Sequence, residues 1–203
     1  MHARAAPREA EISISGEIGV DGLSAQDFRR ALDALGRPSL LRVTINSPGG
    51  DVSQGFMVFN MLDRHPARKI VTIESVVASM ASVIAMVGDE IIMPSDAFMM
   101  IHKPTGTSWG TADQLESYSA AVRKMESNIV DAYVARSGAD RAEIVALMNR
   151  ETWLTSDEAV ALGLADRVAE PLGVATRAMS LRCPRKITDL YARAYANFNR
   201  RIF

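Results

Sequence analysis

Cysteine, histidine and net charge are all scarce in this 203-residue chain, and each scarcity removes a class of protein. With one cysteine, Cys183, the chain can close no internal disulfide and offers no paired thiols for a structural metal, which fits a reducing cytosolic compartment. The 23 Lys and Arg against 24 Asp and Glu leave a formal net charge of −1, so there is no basic footprint for nucleic acid. No apolar run approaches the ~20 residues that cross a bilayer, and Met1 to Glu9 lacks the hydrophobic stretch of a secretory signal. The expectation is therefore a soluble, cytoplasmic protein with no membrane and no nucleic-acid partner. What the chain does have is 48% apolar and 23% charged residues, the balance of an ordinary globular domain, in a length that supports one sizeable core.

Apolar periodicity orders that length into elements. Glu11 to Ile18 alternates polar and apolar residues as a half-buried strand does, and Ser24-Ala25-Gln26-Asp27 opens a helix carrying Phe28, Ala31, Leu32 and Leu35. Gly36-Arg37-Pro38 stops it, Leu40 to Ile45 reads as the next strand, and the turn Asn46-Ser47-Pro48-Gly49-Gly50 leads into a helix from Val52 to Arg64. Further strands are predicted at Ile70 to Ile73, Glu90 to Met93 and Ala97 to Ile101, with a helix of small residues from Ser79 to Val87. Thr111-Ala112-Asp113-Gln114 matches a capping box for a long helix with Leu115, Tyr118, Val122, Met125, Ile129 and Tyr133 at three- and four-residue spacing, ending at Ser137-Gly138. Two short helices, Asp140 to Asn149 and Thr155 to Gly163, precede a strand over Leu164 to Val168. Alternation of this kind points to an α/β fold with a largely parallel sheet. The expected organisation is a short flexible leader over residues 1–10, a domain over 11–171, and a basic, helix-like C-terminal tail over 172–203.

Two residues stand out for chemistry. Ser79 lies where a strand runs into a helix, and the free amides and positive dipole end of a first helical turn favour the anion that forms when a carbonyl is attacked. His102 follows the apolar strand Phe98-Met99-Met100-Ile101, at a strand end where α/β sheets place functional groups, whereas His2 and His65 sit in a terminus and a turn. A serine hydroxyl needs a base to become a nucleophile, so the pair points to covalent acyl transfer. Each also has a bland reading: Ser79 as a helix cap, His102 as a structural strand-end residue, and Ser47-Pro48-Gly49-Gly50 as a plain turn.

Asn46-Ser47-Pro48-Gly49-Gly50, Ala78-Ser79-Met80-Ala81-Ser82, Met100-Ile101-His102-Lys103-Pro104 and Trp153-Leu154-Thr155-Ser156-Asp157-Glu158-Ala159 occur in the order of the signatures of the Clp protease proteolytic subunit. From Ile12 to Val168 the chain resembles that family. The resemblance implies a Clp/crotonase-type α/β fold of repeated β-α-β units with a protruding handle strand and helix, and a serine endopeptidase that needs no metal or organic cofactor. It implies Ser79 as nucleophile, His102 as base, and the amides of Gly50 and Met80 as oxyanion hole. The third member of the family's triad, an aspartate there, corresponds here to Glu151, with Asp157 or Asp113 as alternatives. The handle segment corresponds to Lys103 to Gly110, and the resemblance implies a homo-oligomeric ring, possibly a double heptamer, acting on protein substrates.

The short leader, the glutamate and the wording of Ser79 to Ala85 resemble most the Clp-related head-maturation proteases of bacteriophages, which process capsid and scaffold proteins. The expectation is thus an ATP-independent endopeptidase in host cytoplasm or an assembling phage head, with an ATPase partner in doubt. One alternative is a housekeeping Clp subunit working with an ATPase unfoldase. The other is an inactive ring or capsid-assembly scaffold, since fold alone does not imply activity.

Overall fold

The computed structural model describes residues 8–19 and 21–170. The tail expected over 172–203, including Cys183, lies outside the described residues, as does most of the expected leader. The elements run β1 (Glu9–Ser15), α1 (Ala25–Ala34), β2 (Leu40–Ser47), α2 (Val52–Asp63), β3 (Arg68–Ala78), α3 (Met80–Ala85), β4 (Glu90–Pro94), β5 (Phe98–Ile101), α4 (Ala112–Ser137), α5 (Arg141–Asn149), β6 (Thr152–Thr155), α6 (Ser156–Ala161) and β7 (Arg167–Ala169). The fold is α/β, as the sequence implies.

One sheet holds every strand, in the order β1-β2-β3-β4-β7, with β5 branching off β3 and β6 closing on β5. All pairings are parallel except β5 with β6. Alternation decides the faces: Ile12 and Ile14, Leu41, Val43 and Ile45, and Val71, Ile73 and Val77 point into the core. Each such side chain contributes about 1.5–3 kcal/mol by leaving water. The opposite face of β1 and β2 is polar, with Arg42 paired to Glu9 and the Thr44 hydroxyl donating to Glu11.

Long β3 is the branching element. Its first half, Ile70 to Thr72, pairs with β4, and its last residues, Val76 to Ala78, pair with β5. The sequence reading stops this strand at Ile73, because Glu74-Ser75 breaks the apolar run; both residues are exposed, and pairing with β5 carries the strand on to Ala78. The first strand starts at Glu9 rather than Glu11, since Arg8 and Glu9 already lie beside Ser39 and Leu40. Strand β6 is absent from the sequence reading; four residues carry too little periodicity to be seen, and the antiparallel pairing with β5 makes it.

The segment expected as a handle strand over Lys103 to Gly110, a strand to be completed by pairing with another subunit, is seen here in the single chain. Among the described residues it is in no strand pairing and has no regular secondary structure. The segment lies instead against α4: Lys103 Nζ is 3.2 Å from Glu126, and a Cβ on Gly106 would fall 1.8 Å from the Tyr118 hydroxyl. The capping box at the start of α4 forms as read, Thr111 and Gln114 each bonding the other's backbone. Only Ile129, Val130 and Tyr133 of α4 are buried, while Leu115, Tyr118 and Met125 stay exposed. Among the described residues no helix is long and apolar enough to cross a membrane.

Candidate active site

Register brings the sequence-predicted residues together. Ser47 of β2 pairs with Val77 of β3, and Ala78 of β3 pairs with Met100 of β5, so three parallel strands end side by side. The residues that follow those ends are Gly49 and Gly50, Ser79, and His102. In open parallel sheets this carboxyl edge is where ligands bind. The antiparallel partner β6 then matters: Ile101 lies opposite Thr152, which sets the preceding residue, Glu151, beside His102.

Ser79 sits at a sharp elbow between β3 and α3, with φ 53° and ψ −129°. A residue with a Cβ adopts such a conformation only when its surroundings hold it, at a cost of about 1–3 kcal/mol. Here its amide donates to the Met100 carbonyl at 2.9 Å and its own carbonyl accepts from the Ser82 amide. The bland reading of Ser79 as a helix cap does not hold, because its side chain makes no capping bond. The hydroxyl lies 2.7 Å from His102 Nε2 instead.

Burial of the His102 ring lowers its pKa from the ordinary histidine value, and the opposing pull of the Glu151 charge is the smaller effect. The imidazole is therefore neutral at pH 7, the state in which Nε2 can take a proton. For Nε2 to accept the Ser79 hydrogen the ring hydrogen must be on Nδ1, which lies 4.0 Å from Glu151. The distance is too long for a hydrogen bond but short enough for charge to act. Glu151 is 62% exposed and has φ 51°, a left-handed residue directly after the last turn of α5. Among the described residues Asp113 and Asp157 form no ion pair with His102, so Glu151 is the carboxylate the fold brings to the ring.

Two backbone amides near these strand ends are the candidates to hold an oxyanion. Met80 is the first residue of α3, where helix geometry supplies no acceptor for its N–H. Gly49 O and Asp51 N both bond Ile18, which leaves the Gly50 amide between them outside that pairing. The residue that sequence reasoning missed here is Gly49. With φ 91°, a Cβ on it would meet Ala78 O at 2.6 Å, Ser79 Cβ at 2.7 Å and Met80 N at 2.8 Å. Any side chain would press on the elbow and its amide; the only signal in the sequence is that the loop has two glycines rather than one. Among the described residues no group of three or more His, Cys, Asp or Glu is placed to hold a metal ion.

A serine at a strained elbow against a neutral histidine, with a carboxylate behind it, is the arrangement of serine-type hydrolases. The Clp protease family profile matches residues 4–171, and the chain belongs to that family: it is a serine-type peptidase. It is 33% identical over 129 residues to the ATP-dependent Clp protease proteolytic subunit 1 of Chlamydia trachomatis serovar D, covering 61% of this chain and 67% of that protein. It is 30% identical over 166 residues to the ATP-dependent Clp protease proteolytic subunit 2 of Treponema denticola, covering 79% and 82%. It is 35% identical over 138 residues, 66% of each chain, to the ATP-dependent Clp protease proteolytic subunit of Nephroselmis olivacea.

Proposed function

We propose that this chain is a proteolytic subunit that hydrolyses peptide bonds with Ser79 as nucleophile and His102 as general base, working with an ATPase unfoldase. The 2.7 Å contact between Ser79 Oγ and a neutral His102 Nε2 carries the chemical half of this reading. Oγ attacks the peptide carbonyl carbon while its proton passes to Nε2, and the developing oxyanion is held by the amides of Gly50 and Met80. The C–N bond then breaks, His102 returns the proton to the leaving amine, and water repeats the sequence to release the acyl group. The Glu151 charge stabilises the transient imidazolium.

The names of the relatives support the other half: all three are named ATP-dependent subunits, which favours a housekeeping role with an ATPase partner over head maturation. A cytoplasmic homo-oligomeric ring, as a double heptamer, is part of the same reading, and its mass by light scattering is the direct check. The capsid-processing reading keeps the support of the glutamate at position 151, where the family has an aspartate, and of the wording of Ser79 to Ala85. An inactive scaffold would have no use for the strained elbow. Degradation of an unfolded protein, measured with and without a Clp-type ATPase and ATP, decides between the partners. Stimulation by the ATPase and ATP is expected; efficient cleavage of a capsid scaffold protein without nucleotide would replace this reading by the head-maturation one.

A further inference from the structure

Ser82 is fully buried one turn beyond the elbow, and its hydroxyl touches three oxygens: the Ser79 carbonyl at 2.6 Å, the Met100 carbonyl at 3.0 Å and the Tyr133 hydroxyl at 2.8 Å. Counting hydrogens fixes the direction of this chain. Carbonyls only accept, so the single Ser82 hydrogen serves Ser79 O and Met100 O, and the Tyr133 hydrogen goes to Ser82 Oγ. Tyr133, on α4, is itself buried, and burial raises its pKa, so the phenol keeps that hydrogen. The two carbonyls belong to the two halves of the site. Ser79 O is part of the strained elbow, and Met100 lies on β5, two residues before His102.

We propose that Ser82 and Tyr133 are positioning residues for the Ser79–His102 pair, Tyr133 donating to Ser82 and Ser82 joining the elbow to the strand that carries the base. This rests on the reading of Ser79 as nucleophile. Without the Ser82 hydroxyl, the elbow is left joined to β5 only by the backbone ladder that ends in the bond from Ser79 N to Met100 O, and the buried phenol loses its partner. The distance between Oγ and Nε2 then has less to hold it, and displacements of about 1 Å in a reacting pair cost on the order of 100-fold in rate.

The test compares Ser82→Ala, Tyr133→Phe and the double variant in the assembled full chain, reading kcat and KM on a short peptide, the pH dependence of kcat/KM, and the rate of Ser79 labelling by a fluorophosphonate. Expected are a loss of roughly 10- to 100-fold in kcat and labelling for Ser82→Ala and a smaller loss for Tyr133→Phe. The double variant is expected to be no worse than Ser82→Ala, because Tyr133 acts through Ser82. KM and the acid limb should not move, whereas a general loss of structure would move them or thermal stability alone. A kcat within about twofold of wild type for Ser82→Ala, or losses that multiply in the double variant, overturns the proposal. Tyr133→Phe keeps the ring and removes one oxygen, so an unchanged kcat there overturns it even if Ser82→Ala fails to fold. Labelling that survives Ser79→Ala would instead remove the nucleophile reading itself.

Discussion

The two contacts of His102 differ in kind. On one side Ser79 Oγ stands 2.7 Å from Nε2, its backbone strained and held from both strands; on the other Glu151 stands 4.0 Å from Nδ1, at the surface and after a helix end. The first is built by three adjacent parallel strand ends, the second by a four-residue strand and a left-handed turn. The contrast teaches that this base is kept neutral by burial more than it is tuned by its carboxylate. Chemistry should therefore depend steeply on the Ser79 side and shallowly on the Glu151 side.

Ser79→Ala should show the largest effect, a fall of about 10⁴- to 10⁶-fold in kcat on a short peptide, and His102→Ala a loss of similar order, because nucleophile and base act as a unit. A residual activity within tenfold of wild type would dissolve the contrast. Gly49→Ala comes next. Its Cβ would press on Ser79 and Met80 N, so a loss of roughly 10²- to 10³-fold, the scale for a spoiled oxyanion donor, is expected together with a lower Tm. An active, fully stable variant would show that the loop does not need to approach the elbow.

Glu151→Gln should cost only about tenfold in kcat, since no hydrogen bond to the ring is lost; a bonded triad aspartate is worth far more. The direction of its pH effect is fixed. Glu151 raises the His102 pKa, so removing its charge lowers that pKa further, and the acid limb of kcat/KM moves to lower pH. Movement to higher pH would mean that the carboxylate does not act on the ring. Glu151→Gly is the smallest effect and has the opposite sign in stability. Glycine takes the left-handed position at a helix end without strain, so about 1 kcal/mol of stability and a few degrees of Tm should be gained while activity falls as in Glu151→Gln. A drop in Tm would show that the carboxylate holds the turn together.

The same contrast runs through what the sequence makes legible. The strand, helix, strand order and the strand-end positions of Ser79 and His102 follow from apolar periodicity, because each element buries one face. Ser79 Oγ and His102 Nε2 stand 2.7 Å apart at those strand ends. The end of β3, the β6 strand and the left-handed Glu151 do not follow from local pattern. They exist through pairing with β5 and through a helix end that glycine would ordinarily mark. Glu151 is found only through motif order, and the bonds of Ser82 to Met100 and Tyr133 span 18 and 51 residues and leave no local trace. The handle segment is legible only in part for the complementary reason, since the neighbour expected for that strand belongs to another subunit.

Labelling with a fluorophosphonate, followed by mass mapping, tests the Ser79–His102 pairing most directly when wild type, Ser79→Ala, His102→Ala and Glu151→Gln are run side by side in assembled samples. A single adduct on Ser79 is expected in wild type, none in the first two variants, and slowed but complete labelling in Glu151→Gln. An adduct on another serine, or equal labelling of Ser79 with and without His102, would contradict the pairing of this serine with this base.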